Sequence, residues 1–148
     1  MKRVLIFISV LSLTACNSVY LKPGTMVPNS VVHAKPLGYG IKRAIKERLE
    51  KRGYDVRVGK LKKAYADDAS ERETLELPGN VKYVVRVSEY SEYFMPWCVF
   101  NGFWWWRFSV SITDQKEGKE ILSWRGRGCQ NSSIRKLNEI LDELERKD

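Results

Sequence analysis

Residues 103–129, FWWWRFSVSITDQKEGKEILSWRGRGC, contain two alternating segments joined by a short polar stretch. Along 103–113, large apolar side chains occupy the even positions, and mostly polar side chains occupy the odd ones. This period of two predicts a strand with one face in a core and one in solvent, as in an antiparallel sheet. The stretch 115–119, QKEGK, predicts a three-residue hairpin loop with Gly118 in the left-handed position.

The register of this hairpin follows from closing it with Gln115 opposite Lys119. Counting outward pairs large inner-face side chains with aliphatic residues or glycines, which balances volume across the strands. A slip of one residue would turn Arg125 and Arg127 into the core, so this register is favoured. The predicted inner-face pairs are Ile112 with Leu122, Val110 with Trp124, Phe108 with Gly126, and Trp106 with Gly128.

The rest of the chain predicts three further strands, at 30–34, 54–58 and 82–90, and two amphipathic helices. The first helix opens at Gly38 and Gly40 and runs to about Arg52, and the second begins at Ser132 or Ser133. Each helix has a single apolar stripe, so both are expected on the tryptophan-rich face of one sheet. The predicted fold class is α+β, a two-layer sandwich of an antiparallel sheet with two helices packed on one face.

The first 16 residues, MKRVLIFISVLSLTAC, place two cations before an uncharged, largely apolar run that ends in a cysteine. This is the layout of a secretory signal, and the run is shorter than the roughly 20 residues that span a bilayer. The segment 13–16, LTAC, resembles the lipobox of bacterial lipoproteins, in which a peptidase cuts before a cysteine that carries the lipid. The alternative is a buried core segment with an incidental cysteine.

The lipobox resemblance implies a signal peptide at 1–15 and a lipidated Cys16. Asn17, rather than aspartate, follows that cysteine, which in Gram-negative lipoproteins implies the outer membrane, facing the periplasm. Pro23, Gly24 and Pro28 interrupt any regular period, so 16–28 is expected to be the lipidated cysteine and a tether. Residues 29–148 are then expected to form a single α+β domain. The whole chain resembles small, functionally unassigned lipoproteins of Gram-negative envelopes.

The formal charge of the full chain is +8, from 26 basic and 18 acidic residues. A charge of this size favours anionic partners. In an exported protein these are lipid head groups, lipopolysaccharide, cell-wall polymers or acidic proteins, and the export signal argues against nucleic acid. Cys98 and Cys129 remain as a pair in an oxidising compartment and are expected to form a disulfide. The alternative is two free thiols, one of them catalytic.

The outer face of the hairpin is the first candidate binding surface. The register places Arg107 opposite Arg127, and Ser109 opposite Arg125. Arginine binds carboxylate or phosphate in a bidentate manner, and aromatic rings add stacking or cation–π contacts. The alternative is an ordinary solvated face whose charge is partly neutralised by Glu89. The candidate surface comprises Arg86, Tyr90, Trp97, Trp105, Arg107, Arg125 and Arg127.

The segment 90–103, YSEYFMPWCVFNGF, is the second candidate, because it is a predicted loop with six aromatic residues. Either it folds over one end of the core or it is an exposed interface, as aromatic anchors often are. Catalytic signals are weak: His33 is the single histidine and is expected to be structural, and no zinc-ligand spacing or phosphate loop is present.

The sequence therefore predicts a non-enzymatic accessory or binding module that docks an envelope partner, without a cofactor or metal. The second hypothesis is a binder of an anionic envelope polymer or lipid, such as lipopolysaccharide. A third, a cell-wall hydrolase, would need paired carboxylates in a cleft, which the sequence does not indicate.

Overall fold

A computed structural model describes residues 17–34, 40–59 and 80–146 of the chain. Over these ranges the chain forms a six-stranded sheet with two α-helices packed against it, so the α+β class is confirmed. A short 3₁₀ helix, Pro96–Asn101, precedes the fifth strand. The strands are β1 Ser18–Leu21, β2 Val31–Ala34, β3 Asp55–Val58, β4 Tyr83–Phe94, β5 Trp104–Asp114 and β6 Lys119–Cys129, and the helices are α1 Ile41–Lys51 and α2 Gln130–Glu145.

The strand order across the sheet is β1-β6-β5-β4-β2-β3. Strands β4, β5, β6 and β1 pair antiparallel, whereas β2 runs parallel to both β3 and β4. The prediction of an antiparallel sheet is therefore wrong for one side of the sheet. The reason is topological: α1 lies between β2 and β3 in the chain, and a helical crossover returns the next strand in the same direction.

The hairpin formed by β5 and β6 has the predicted register, including all four inner-face pairs. The loop differs from the prediction, because Asp114 pairs with Lys119 and leaves four residues, 115–118, in the turn. The Asp114 carboxylate accepts the N–H groups of Lys116 and Glu117 at 2.8 and 3.1 Å, which stabilises the longer turn. A bulge, with Ile121 as the extra residue, then restores the predicted pairing.

Residues 18–28 belong to the folded domain, so the prediction that 17–28 is a tether is wrong. Strand β1 pairs antiparallel with β6, from Ser18 opposite Arg125 to Leu21 opposite Leu122. Pro23 lies in the turn that follows β1. Met26 then enters the core, and its N–H donates to the Leu144 carbonyl at 2.9 Å. Residues 18–21 form a strand because β6 offers an edge with unpaired backbone groups. The turn residues that follow end this strand and do not prevent it.

Both helices contribute to the same hydrophobic core as the inner face of the sheet. The aromatic centre of this core is the contact between Phe108 and Trp124, whose ring centroids lie 4.5 Å apart at 72°. Helix α2 begins at Gln130, earlier than predicted, and the buried Ser133 provides no side-chain cap. The buried helix residues include the predicted stripe of α1, Ile41, Ala44, Ile45 and Leu49, and most of that of α2, Leu137, Ile140, Leu141 and Leu144.

Candidate binding surface on the outer sheet face

The outer face of the sheet is the one whose side chains alternate with the core residues along β4, β5 and β6. Pairing across these strands places Ser91, Arg107 and Arg127 in one row of that face. The next rows, toward the hairpin, are Ser88 with Ser109 and Arg125, and then Arg86 with Ser111 and Ser123. The arginine face is defined here as the four exposed arginines of these rows, Arg86, Arg107, Arg125 and Arg127.

These four guanidinium groups lack a carboxylate partner within the described parts of the chain. None of the ion pairs found there, at a limit of 4.0 Å, involves Arg86, Arg107, Arg125 or Arg127. Arginines that face each other across neighbouring strands repel, and nearby anions would relieve that repulsion. The arrangement therefore leaves the positive charge of this face available to an external anion.

Glu89, which could have neutralised this face, lies on the opposite side of the sheet. It pairs opposite the core residue Phe108, and its Oε1 accepts the N–H of Lys42 at 3.0 Å in the first turn of α1. A carboxylate is favoured at a helix N-terminus, where the unpaired N–H groups create positive potential. Glu89 is thus committed to the helix, and the expectation that it neutralises the arginine face is wrong. The close approach also requires Gly40, whose Cβ position would lie 2.8 Å from that same Oε1.

Strand β4 has a bulge between Glu89 and Ser91 that places Tyr90 over the arginine face. The Tyr90 ring lies 5.8 Å from the Arg107 guanidinium carbon, within the range of a cation–π contact. Because an extra residue reverses the alternation that follows it, Tyr93 also pairs on the outer face, opposite Trp105. The sequence pattern does not indicate this reversal, because it predicts that the strand ends at Tyr90.

A groove of about 380 Å³ opens among these residues. It is lined by Tyr90, Arg107, Arg125 and Arg127, together with Phe108 and Gly126. Three guanidinium groups and one phenol around a single groove suit a carboxylate or phosphate ligand, because each guanidinium can donate two parallel hydrogen bonds. Arg86, two rows away, extends the positive charge beyond the groove.

The disulfide between Cys98 and Cys129 is confirmed, with the sulfur atoms 2.03 Å apart and the Cα atoms 5.5 Å apart. It joins the 3₁₀ helix to the end of β6. Trp97 beside it packs edge-on against Trp105, with ring centroids 6.2 Å apart at 81°. The structure therefore brings Trp97 and Trp105 together at the end of the arginine face, as a continuation of the Tyr90–Arg107 contact.

The segment 90–103 is more regular than the predicted loop, because β4 continues to Phe94 and the 3₁₀ helix follows. Packing of its rings onto the core, one of the two alternatives, is wrong, because all six aromatic residues of 90–103 are exposed. The aromatic tip is defined here as five solvent-exposed rings at this end of the sheet, with their exposed fractions: Phe94 55%, Trp97 66%, Phe100 100%, Phe103 52% and Trp104 44%.

The backbone of the tip is tightly held. Phe103 has a φ of 66°, which is rare for a bulky residue, and follows Gly102 with a φ of 94°. Two backbone bonds fix this turn: the Met95 N–H donates to the Phe103 carbonyl at 3.1 Å, and the Phe103 N–H donates to the Cys98 carbonyl at 2.8 Å. The Asn101 side chain also donates to the Ser132 hydroxyl of α2. The exposed rings are therefore presented by a rigid segment.

His33 lies on β2, buried and with its Nε2 without a hydrogen-bond partner among the described residues. Burial lowers the pKa of its imidazole below the ordinary value of 6.5. In the ranges 17–34, 40–59 and 80–146, no group of three or more His, Cys, Asp or Glu side chains is placed to hold a metal ion. No helix in those ranges is long and apolar enough to cross a membrane. Cys16 and the signal segment 1–15 lie outside the described residues.

No protein-family model and no curated protein sequence matches this chain. The fold resembles that of the PelC dodecamer from Paraburkholderia phytofirmans, solved in two crystal forms, one of them of a single-residue variant. Each superposes with a TM-score of 0.52 at 12% sequence identity. The variant form covers 90% of this chain and 99% of the PelC chain. At this identity the likeness shows a shared fold.

A weaker likeness links the chain to a PDZ domain protein from Parabacteroides distasonis, with a TM-score of 0.43 and 9% identity. It covers 90% of this chain and 36% of the other.

Proposed function

We propose that this chain is a lipid-anchored protein of the bacterial cell envelope that binds an anionic partner through the arginine face. In this proposal Cys16 carries the lipid, the protein is anchored to the outer membrane facing the periplasm, and it acts as a non-enzymatic accessory module. The partner is an acidic surface of another envelope protein rather than nucleic acid. The lipobox at 13–16 supports the anchor, and the outer sheet face supports the binding role.

One observation carries the binding role: four exposed arginines share one sheet face, and none of them is paired with a described carboxylate. Arg107 and Arg127 face each other directly, which costs stability unless an anion lies between or above them. Glu89, the nearest acidic residue in sequence to Tyr90, is bound to α1 on the other side. An arrangement that disfavours the isolated protein and favours an anion complex is characteristic of a binding surface.

Aromatic side chains make this surface more selective than charge alone. Tyr90 covers Arg107, and Trp97 and Trp105 extend the face toward the disulfide. Tyrosine, tryptophan and arginine are the residues that dominate protein interfaces. The disulfide between Cys98 and Cys129 fixes Trp97 before any partner binds, which lowers the entropic cost of association.

We further propose that the domain is a two-layer sandwich whose helices cover the inner face and leave the outer face free. The shared core of α1, α2 and the inner-face residues supports this arrangement. The fold likeness to PelC, which forms a dodecamer, makes a second copy of this chain an alternative partner, and it would appear in the crosslinking experiment below as a crosslinked oligomer of the chain itself.

Crosslinking in the intact envelope tests the proposal. The wild-type protein is compared with a double variant, Arg107→Glu with Arg127→Glu, and co-purifying proteins are identified. The matched control is Arg135→Glu with Lys136→Glu on α2, which makes the same change in net charge. We expect the partner to be lost from the first variant and retained by the control. Retention of the same partner by both variants would contradict the proposal.

The groove supports one alternative, a binder of an anionic envelope polymer or lipid such as lipopolysaccharide. Three arginines around about 380 Å³ suit an isolated phosphate or carboxylate group as well as an acidic protein. Salt separates the two functions. Binding of a polyanion to exposed arginines weakens steeply between low and high ionic strength, whereas an interface anchored by Tyr90, Trp97 and Trp105 retains most of its affinity.

A further inference from the structure

We infer that the aromatic tip lies in the head-group region of the membrane that carries the lipid anchor, so that the domain stands on its disulfide-bonded end. This inference rests on the proposed lipidation of Cys16. It goes beyond the binding role of the arginine face, because it assigns a second surface, a different ligand class and an orientation to the protein.

The composition of the aromatic tip is that of a membrane-binding segment. Residues 93–106, YFMPWCVFNGFWWW, contain no charged side chain, and six of their rings are exposed, namely the five of the aromatic tip and Tyr93. Phe100 is fully exposed on the 3₁₀ helix. A fully exposed phenylalanine does not contribute to the stability of a water-soluble domain. Phenylalanine and tryptophan are, however, side chains that bind at the boundary between lipid head groups and acyl chains.

The chain enters the domain at the same end of the sheet as the aromatic tip. Strand β1 runs antiparallel to β6, so its first residue lies toward the end of β6 that holds the disulfide. Asn17, directly before β1, accepts the N–H of Arg127 with its Oδ1 at 3.2 Å. Arg127 is two positions from Cys129, which is bonded to the 3₁₀ helix.

The next residue toward the N-terminus of the chain is Cys16, and consecutive Cα atoms are only about 3.8 Å apart. A lipid on Cys16 would therefore hold the tip end of the sheet close to the bilayer. With a long tether the domain could face the membrane in any orientation, but β1 removes that freedom because it begins at Ser18. The hairpin turn at 115–118, at the opposite end of β5 and β6, then points away from the membrane.

Positive charge lies directly behind the tip end of the sheet. Arg107 and Arg127 lie in the row of the sheet next to the one that holds Trp105 and Cys129. Until a protein partner binds them, cations just behind an inserted ring lie level with lipid phosphates, which attract them. The aromatic side chains lie at the end of the sheet, and the arginines lie one row further from that end. This order matches a bilayer, in which acyl chains lie deeper than phosphates.

Added tryptophans at the two ends of the sheet provide the test. Phe100→Trp places one at the tip, and Glu117→Trp places one in the hairpin turn as the matched control. Both residues are exposed, so neither change disturbs the core. The lipidated full chain is reconstituted into vesicles of phosphatidylethanolamine and phosphatidylglycerol, with or without brominated acyl chains that quench tryptophan on contact. The fluorescence of each variant is compared with that of the parent chain.

We expect the fluorescence added by Phe100→Trp to be mostly lost in the brominated vesicles, and that added by Glu117→Trp to be retained. If both are retained while the protein floats with the vesicles, or both are lost, the orientation is wrong. If the tip tryptophan is shielded from aqueous quenchers without bromine quenching, a protein covers the tip and the inference is overturned. If the wild-type chain does not float with vesicles at all, the proposed lipid anchor has failed instead.

Discussion

Arg107 on β5 lies directly opposite Arg127 on β6, on the sheet face away from the core. Both are exposed, and neither has an ion-pair partner in the described ranges. Like charges at directly opposite positions destabilise a sheet, so the pair is expected to serve binding at some cost to folding.

Replacing one arginine of the pair should stabilise the free protein. Arg127→Glu places opposite charges across β5 and β6 and keeps the contact between Arg107 and Tyr90, so it should raise the free energy of unfolding by about 0.2–1 kcal/mol. If the proposed function is right, the same change should abolish binding of the proposed envelope partner. Urea unfolding measures the first effect, with Arg86→Glu, which faces Ser111, as a control that should give no gain. A loss of stability in Arg127→Glu would mean that the two arginines do not repel in solution.

Two glycines of β6 should differ in their tolerance of alanine. A Cβ at Gly126 would lie 2.6 Å from the Phe108 Cζ, whereas one at Gly128 would meet nothing nearer than the Ser133 hydroxyl at 3.5 Å. Gly126→Ala should therefore destabilise the fold by about 1–3 kcal/mol through overpacking. Gly128→Ala should be neutral or stabilise by about 0.5–1 kcal/mol, because alanine costs less backbone entropy. Thermal unfolding of the two variants measures the difference. Equal changes in stability would contradict the described packing of Phe108 against Gly126.

The disulfide should contribute to stability and to the position of the tip. It joins residues 31 positions apart, and closing a loop of this size stabilises by roughly 3–4 kcal/mol in the chain-entropy model. The double variant Cys98→Ser with Cys129→Ser should lose about that much in urea unfolding. A reducing agent should lower the stability of the wild-type protein to the same level and leave the variant unchanged. If the reducing agent also destabilises the variant, its effect does not come from this bond.

The stability of the fold should fall between pH 7 and pH 5 because of His33. Burial lowers the pKa of its imidazole below 6.5 in the folded state, so the neutral form is favoured there. The contribution of neutral His33 to the free energy of unfolding is fully present above pH 6.5. It is lost as the pH falls from that value through the lowered pKa. The nearest charged neighbour across the strands is Arg57, which pairs with Asp55 at 3.0 Å. Thermal unfolding across this range should depend on pH in the wild-type protein and much less in His33→Gln. If the unfolding temperature changes equally with pH in the two proteins, His33 is not the cause of the pH dependence.

Much of the fold and part of the candidate site could be predicted because the signals are local. In β5 and β6 only one register buries Phe108 against Trp124 while keeping Arg125 and Arg127 in water. That register also placed the arginines of the candidate surface on one face. The apolar stripe of α1 was correct for the same reason, since a helix fixes which residues share a side. The disulfide followed from the compartment and the even count of the remaining cysteines.

The errors concern contacts between segments that are distant in the chain. Residues 18–21 have too short a pattern to predict a strand, and they form one because β6 offers an open edge. The parallel pairing of β2 with β3 and β4 depends on the path of the crossover. The bulge after Glu89 reverses the alternation, and this reversal decides which aromatic residues join the arginine face.

By itself, the amino-acid sequence determined the alternation of the strands, the hairpin register and the identity of the two opposed arginines, because burial of large side chains permits one arrangement. Only the tertiary structure decided that Glu89 accepts a hydrogen bond at the start of α1 and that the Tyr90 ring contacts Arg107. It also decided that Asn17 lies at the end of the sheet that carries the aromatic tip. The physical reason is that the alternation along a strand determines the face on which each side chain lies. The charge partners and the exposure of that side chain depend instead on segments that approach from elsewhere in the chain.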